Sequence, residues 1–204
     1  MKKGIFITFE GGEGSGKSTH IACAADYLRK KKKKVLVVRD PGSTQISEAI
    51  RAILLDSKNQ EMAMETELFL YLAARAQFVK EMIMPALQKG MVVISDRFED
   101  STVVYQGFAG GISPKRIQKI VPEARGNLVP QLTFLLDVSV EEGLRRAGRT
   151  DRMEQKSVAF HEKIRRGYLA LARKNRKRFM VIATEAPFDK VRKKIEEGLD
   201  RAIA

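Results

Sequence analysis

The strongest constraint on this chain is a glycine-rich segment near its start. Residues 11–18 read G-G-E-G-S-G-K-S, which fits the pattern G-x-x-x-x-G-K-[ST], and they follow an apolar run at residues 5–9. In P-loop proteins this pattern joins a buried strand to a helix, and the backbone N–H groups of the loop cradle phosphate oxygens. A glycine-rich turn with a chance lysine is the weaker interpretation, because both the strand and the helix-forming sequence are present.

Two residues at the end of the loop carry the groups expected to act on a nucleotide. Lys17 is expected to reach the β and γ phosphates and is the first predicted catalytic residue. Ser18 is expected to offer its hydroxyl to the Mg²⁺ ion that accompanies a nucleoside triphosphate. The predicted ATP-binding set is Gly11, Gly12, Glu13, Gly14, Ser15, Gly16, Lys17, Ser18 and Thr19.

Short apolar runs alternate with longer helical patterns along the rest of the chain, which is typical of a parallel sheet covered by helices on both faces. The predicted strands are 5–9, 35–38, 91–95, 132–137 and 179–183. The predicted helices are 18–32, 46–56, 66–89, 114–120, 140–147, 156–177 and 188–202, with a short one near 102–106. The sequence thus predicts an α/β fold with a five-stranded parallel sheet, forming a single domain over residues 1–204.

Some helix boundaries carry local signals. Ser139 with Glu142 has the spacing of a capping box, and Ser113 is a candidate N-cap before a proline. Pro85 lies inside the predicted helix 66–89 and should kink it. Pro122 is expected to begin a loop before the fourth strand.

Charge and cysteine content bear on partners and compartment. Lysine and arginine total 38 against 25 acidic residues, a formal charge of +13, which is compatible with nucleic acid or with small phosphorylated substrates. The basic runs at 29–34 and 165–178 fit solvated helix faces better, so no nucleic-acid partner is expected. Cys23 is the one cysteine and no apolar run approaches membrane-spanning length; a cytoplasmic protein with no membrane partner is expected.

Charged residues also follow the other predicted strands. Ligands of open parallel sheets gather where the strands end, so these residues are candidates for chemistry. Asp96 is expected to meet magnesium directly or through water, or to accept from Ser18. Arg97 is expected to grip a phosphate, the alternative being a salt bridge that closes the strand end.

Residues 96–107, D-R-F-E-D-S-T-V-V-Y-Q-G, resemble the D-R-[YF]-x-x-S-x-x-A-Y-Q-G signature of thymidylate kinases. Residues 9–19, 39–44, 73–75 and 151–154 match that family in the same order, so the resemblance spans nearly the whole chain. It implies ATP- and Mg²⁺-dependent phosphorylation of dTMP to dTDP for dTTP synthesis. It also implies a homodimer and a small mobile lid at about 145–154.

The resemblance assigns the acceptor nucleotide to a set of polar and aromatic side chains. Arg75 would hydrogen-bond O4 of thymine, Tyr71 would stack on the ring from one helical turn earlier, and Tyr105 would exclude a 2′-hydroxyl. Glu13 would lie near the 3′-hydroxyl of the acceptor. The alternative for Tyr71 is an aromatic side chain that only packs in the core. The full dTMP-binding set is Glu13, Asp40, Arg51, Tyr71, Arg75, Arg97, Thr102, Tyr105 and Tyr168.

The resemblance also assigns arginines to the phosphates. Arg51 and Arg97 would hold the acceptor phosphate, and Arg97 is counted among the catalytic residues. Because the P-loop contains no arginine, a lid arginine is expected to neutralise the transferring group, as in one branch of the family. Arg149 is the first choice since Gly148 gives the backbone freedom to move it, and Arg146 is the alternative.

Two positions depart from the family's usual R-E-P-G-G-T loop, where Asp40 replaces glutamate and Ser43 replaces glycine. The shorter acid is expected to draw its carboxylate back from a metal or water contact. Two other functions stay open on sequence alone: a small P-loop kinase with another acceptor, and a P-loop switch ATPase or nucleic-acid-binding protein that hydrolyses ATP without an acceptor.

Overall fold

The computed structural model describes residues 4–148 and 151–204. Five parallel strands form one sheet in the order β2-β3-β1-β4-β5, as the sequence predicts. The strands are β1 Ile5–Glu10, β2 Val35–Arg39, β3 Val92–Asp96, β4 Leu132–Asp137 and β5 Phe179–Ala183. β1, β2 and β3 each run one residue further than expected, so Glu10, Arg39 and Asp96 belong to the sheet edge itself.

Helices cover both faces of this sheet. Within the described residues they are α1 Lys17–Lys30, α2 Gln45–Leu55, α3 Met64–Phe78, α4 Met84–Gln88, α5 Glu99–Thr102, α6 Pro114–Arg125, α7 Val140–Ala147, α8 Val158–Lys174 and α9 Phe188–Ile203. Two wider π-helical turns, Val79–Ile83 and Val103–Ala109, follow α3 and α5. None of the helices described is long and apolar enough to cross a membrane.

The predicted helix 66–89 is interrupted, as its proline suggested. The π-helical turn Val79–Ile83 lies between α3 and α4, and Pro85 stands in the first turn of α4. Proline has no N–H to donate, so one backbone hydrogen bond of the helix is missing at Pro85. The π-helical turn just before it accommodates this loss.

Other local predictions were wrong. Pro122 lies inside α6 rather than in a loop, because the buried side chains of Ile117 and Val121 hold the helix against the core as far as Arg125. Ser139 and Ser113 do stand at the N-cap positions of α7 and α6, but neither side chain makes a capping hydrogen bond. The capping box does not form, because the N–H of Ser139 donates to Glu185 Oε1 at 2.9 Å and the carboxylate of Glu142 accepts from Arg145 and Arg146.

The alternating side chains of the strands enter separate apolar clusters. Ile7 and Phe9 of β1 pack with Leu28 of α1 and Leu199 of α9, whereas Phe6 packs on the other face with Phe78 of α3. This two-sided packing explains the nearly continuous apolar runs of the strands. Parallel pairing of β1 and β2 with β3 brings the carboxyl ends of these strands together at one edge, where the polar residues follow.

Candidate functional site

The P-loop connects the end of β1 to the start of α1. Gly16 has a left-handed backbone and precedes α1, whose first residue is Lys17. The Nζ atom of Lys17 donates to the carbonyl oxygens of Gly11 at 3.3 Å and Gly12 at 2.9 Å. Burial lowers the pKa of Lys17. The ammonium group therefore lies folded into its own loop, beside the backbone N–H groups of a helix N-terminus.

The loop also touches α7. Gly14 has a φ of 65°, and a Cβ atom placed on it would lie 1.9 Å from the carbonyl oxygen of Gly143 in α7. A Cβ atom on Gly143 would lie 2.5 Å from the carbonyl oxygen of Glu13. Both positions therefore require glycine, and the P-loop and α7 approach each other backbone to backbone.

Arg97 is the centre of the site. It has a left-handed backbone, with a φ of 68°, which is strained for a residue other than glycine. Its guanidinium donates to Glu13 Oε1 at 2.8 Å, to the carbonyl oxygen of Gly11 at 2.9 Å and to the Tyr168 hydroxyl at 3.1 Å. Burial alone would raise the pKa of Glu13, but the charges of Arg97 and Lys17 lower it to about 2.

Glu10, the last residue of β1, holds the residues around Arg97 in place. It is fully buried and accepts hydrogen bonds from the Phe98 N–H at 2.8 Å, the Ser101 hydroxyl at 2.6 Å and the Tyr168 hydroxyl at 3.0 Å. Burial, together with the nearby charge of Asp100, raises its pKa to about 7. By binding the peptide group that follows Arg97, Glu10 helps to hold that residue's strained backbone.

A second arginine, Arg75 of α3, is buried against Asp40 after β2. Its Nε atom donates to Asp40 Oδ2 at 2.6 Å, and its Nη2 atom donates to Thr102 Oγ1 at 2.8 Å and to the carbonyl oxygen of Phe98 at 3.2 Å. Burial raises the pKa of Asp40, opposed by the charge of Arg75. The Nη1 atom of Arg75 is buried with no partner among the described atoms, which leaves one donor for a ligand.

These side chains border a cavity of about 90 Å³. The lining includes Glu13, Asp40, Arg51, Tyr71, Arg75, Arg97, Thr102 and Tyr105. Eight of the nine residues predicted to bind dTMP thus meet at one place, although the helices and loops that carry them are far apart in sequence. Tyr105 donates to Glu13 Oε1 at 2.6 Å, so an aromatic and a charged side chain of the cavity wall are joined by a direct hydrogen bond.

Tyr168 is the ninth, and it lies one layer behind. It is buried and borders a smaller cavity of about 20 Å³ next to the P-loop. Its hydroxyl contacts Arg97, Ser101 and Glu10. Tyr168 therefore supports Arg97 and does not line the 90 Å³ cavity.

A wider cavity of about 500 Å³ lies over the P-loop. Its lining combines loop residues with Arg51, Asp96, Arg97 and Arg146. Asp96 Oδ1 is buried and has no hydrogen-bond partner among the described atoms. Arg146 of α7 borders this cavity while donating to Glu142 at 2.7 Å. Arg149, the preferred lid arginine, lies outside the described residues.

The residues present fit a magnesium ion carried by a nucleotide. Ser18 and Asp96 both border the wider cavity, and Asp96 Oδ1 has no hydrogen-bond partner among the described atoms. Hydroxyl and carboxylate oxygens are ligands that Mg²⁺ prefers. Among the described residues there is no group of three or more histidine, cysteine, aspartate or glutamate side chains that could hold a metal on their own. An ion at this site would therefore take much of its coordination from phosphate oxygens.

Several cavity residues were missed by sequence reasoning. Pro41, Leu55, Ser101, Gln106, Asp151 and Met153 also line the smaller cavity. Five of them lie in segments that resemble the family (39–44, 96–107 and 151–154), and that proximity was the available signal. Leu55, at the end of α2, gave none.

Known proteins resemble this chain over most of its length. A sequence profile described as thymidylate kinase matches residues 9–195. A thymidylate kinase of Geobacter sulfurreducens is 49% identical over 188 residues, covering 88% of this chain and 88% of that protein. One from Nitratidesulfovibrio vulgaris is 46% identical over 199 residues, covering 92% and 89%. The crystal structure of thymidylate kinase from Ehrlichia chaffeensis superposes with a TM-score of 0.80 at 31% identity, covering 97% of this chain and 99% of the other.

Proposed function

This chain belongs to the thymidylate kinase family and is a dTMP kinase, and we propose that the wider cavity holds the phosphates of ATP while the smaller cavity holds dTMP. One observation carries this division of the site. The two cavities share two arginines, Arg51 and Arg97, and three acids, Glu13, Asp40 and Asp151, along their borders. A donor phosphate in one cavity and an acceptor phosphate in the other would therefore meet at the two arginines.

The transfer itself needs alignment and charge neutralisation more than proton removal. A phosphate monoester has a second pKa of about 6, so the acceptor is mostly dianionic at neutral pH and no general base is required. Arg97 and Arg51 hold the acceptor oxygens, and Lys17 leaves its loop carbonyls to bind the donor phosphates. These fixed cations stabilise the charge that spreads over the transferring group.

Mg²⁺ is proposed as the cofactor, held by Ser18 and by Asp96 directly or through water. When bound, the ion screens the phosphate charges and keeps the donor in a reactive geometry. The buried, unpartnered oxygen of Asp96 supports this assignment, because a buried carboxylate oxygen without a donor is unfavourable unless a ligand satisfies it.

The lid proposal places a further cation over the transferring phosphoryl group. The domain is proposed to be single, over residues 1–204, with the lid at about 145–154. Arg149 remains the proposed lid residue and Arg146 the alternative. Arg146 already borders the phosphate cavity, but it is paired with Glu142 of its own helix and would exchange that partner for phosphate.

The base end is proposed to read thymine through the free Nη1 atom of Arg75, which is held by Asp40 and Thr102. Tyr71 would stack on the ring. Tyr105, which packs near Arg97 and bonds Glu13, would leave no room for a 2′-hydroxyl. Because Arg75 donates to Asp40, the carboxylate of Asp40 is assigned to positioning Arg75. This role replaces the metal or water contact expected of the longer glutamate.

The homodimer is proposed to form through α2 and α3. These helices pack side by side and expose Ile46, Ile53 and Phe69 by about half of their surface. Exposed apolar side chains grouped in this way are typical of protein interfaces. Sedimentation of the wild-type chain and of Phe69→Glu tests the dimer, because a monomeric wild type would reject it.

A cytoplasmic location is proposed as well, in keeping with the free thiol of Cys23.

The decisive experiment measures ADP formation with and without dTMP, beside dUMP, dCMP, AMP, GMP and shikimate. A dTMP kinase forms ADP rapidly only when dTMP is present, whereas a switch ATPase forms it without an acceptor. Arg75→Ala provides the second arm, since loss of a buried charged donor should weaken dTMP binding about 10- to 150-fold and leave ATP binding intact. Equal losses for both nucleotides would reject the assignment of the two cavities.

A further inference from the structure

A buried polar network lies beneath the dTMP cavity. Glu67 of α3 and Arg152, which lies between α7 and α8, are both fully buried and form an ion pair. The Nε atom of Arg152 donates to the carbonyl oxygen of Leu54 at 2.8 Å. The side-chain amide of Gln106 donates through Nε2 to Glu67 Oε1 at 2.7 Å. The network therefore links α2, α3, the π-helical turn Val103–Ala109 and the segment between α7 and α8.

The network reaches the cavity wall at several points. Gln106 lines the cavity, and so do Asp151 and Met153 on either side of Arg152. Tyr71 stands one helical turn after Glu67; burial raises the pKa of Tyr71, and the charge of Glu67 adds to the rise. Glu67 and Arg152 thus lie directly behind residues that face the acceptor base, without lining the cavity themselves.

The chemistry of this network allows one orientation of the Gln106 amide. A guanidinium can only donate hydrogen bonds and a carboxylate can only accept them. Glu67, held by Arg152, therefore takes the NH₂ group of Gln106, and the atom left for a ligand is the amide oxygen. Across the cavity, Arg75 offers its unpartnered Nη1 donor.

One donor and one acceptor suit a particular kind of base. Thymine and uracil carry an acceptor at O4 and a donor at N3, whereas cytosine carries an amino donor at C4 and an acceptor at N3. A site built for the first pattern leaves its own buried groups unpaired with the second, and such mismatches discriminate strongly.

We propose that Glu67 and Arg152 are positioning residues that fix the Gln106 amide with its oxygen toward the acceptor base and so select thymine-type over cytosine-type bases. The proposal rests on the assignment of this cavity to dTMP. Neither residue touches the base. Glu67 acts on the choice of base indirectly, because its carboxylate holds the Gln106 amide in one of its two orientations.

Glu67→Gln tests this directly, because it preserves shape. Arg152 can only donate, so it takes the oxygen of the introduced amide and leaves its NH₂ group facing Gln106. Gln106 must then turn its oxygen away and present NH₂ to the base. The expected result is a KM for dTMP that rises roughly 30-fold or more. The ratio of kcat/KM for dTMP over dCMP should fall roughly 100-fold, with the KM for ATP changed by less than about 3-fold.

A compensating variant separates orientation from packing. Adding Gln106→Glu to Glu67→Gln keeps the number of charges in the network and restores an acceptor oxygen toward the base, so the dTMP/dCMP ratio should recover by roughly 10-fold or more. Asp100→Asn is the matched control, since it weakens another buried ion pair, to Arg178, that does not line the cavity. This control should lower stability and leave the ratio within about 2-fold of the wild-type value.

A folded Glu67→Gln variant with an unchanged dTMP/dCMP ratio would overturn the proposal, as would a control that shifts the ratio equally. If Glu67→Gln does not fold, N3-methyl-dTMP and dTMP are compared on the wild-type enzyme; equal KM values would mean that no acceptor faces N3. Failure of the cavity assignment looks different, because Arg75→Ala would then impair ATP use instead of dTMP use.

Discussion

Replacing Gly143 with alanine tests whether the contact between the P-loop and α7 serves catalysis. A Cβ atom at this position would lie 2.5 Å from the carbonyl oxygen of Glu13 and 3.2 Å from a methyl group of Val138. An ordinary contact to the carbonyl begins near 3.4 Å, so the loop or the helix must retreat by about 0.9 Å. The obstacle is backbone on the P-loop side, which cannot turn away as a side chain would.

Two opposing contributions set the expected stability. Alanine favours a helix interior over glycine by about 1 kcal/mol, whereas overpacking of this kind costs about 1–3 kcal/mol. We therefore expect a net loss of up to about 2 kcal/mol in the free energy of unfolding. The effect on turnover should be larger, because a shift of about 1 Å in a phosphate-binding group lowers the rate roughly 100-fold.

The assay is steady-state dTMP-dependent ADP formation together with thermal unfolding. Glu141→Ala is the control, since this exposed residue of the same helix changes helix propensity away from the loop. A Gly143→Ala enzyme that is more stable than wild type and turns over normally would refute the reasoning, because the helix could then move without disturbing the P-loop.

Other substitutions address the remaining charges. Lys17→Ala should mainly lower turnover, since the ammonium stabilises the transition state more than bound ATP; near-normal turnover of the folded variant would contradict this. Arg149→Ala should slow phosphoryl transfer roughly 10³-fold in single-turnover experiments, and a loss confined to Arg146→Ala would move the role there. The raised pKa of Glu10, about 7 against 4.5, favours its protonated form in the native state. Wild-type stability should therefore fall by up to roughly 3 kcal/mol relative to Glu10→Gln as pH rises from 4.5 to 7; parallel denaturation curves would contradict this.

The sheet and the P-loop could be predicted because their signals are local. A strand that is apolar throughout and a loop such as residues 11–18 carry their meaning within a few neighbours. Helix ends were less predictable where packing decides them. Pro122 reads as a helix breaker, but the buried contacts of Ile117 and Val121 outweigh it.

The pairings inside the site could not be predicted in the same way. The Glu67–Arg152 pair and the Gln106–Glu67 bond join residues 85 and 39 positions apart, and nothing in the local sequence of either partner indicates the other. Asp40 is similar: the sequence suggested a carboxylate withdrawn from a metal, and only its pairing with Arg75 shows what it contacts instead.

These pairings change the meaning of the formal charge of +13. Arg97 is already paired with Glu13 and Arg75 with Asp40, so the excess positive charge is not stored at the reaction centre. An acceptor phosphate that binds Arg97 must compete with Glu13 for its guanidinium, whereas Arg51, which donates to the carbonyl oxygen of Pro41, loses no ion pair in the described structure when it turns to phosphate. On the proposed assignment of the two cavities, Arg51 would capture the acceptor phosphate and Arg97 would align it once Glu13 releases its guanidinium. Preformed ion pairs keep the arginines in place before the substrate arrives, and this preorganisation reduces the ordering that binding would otherwise require.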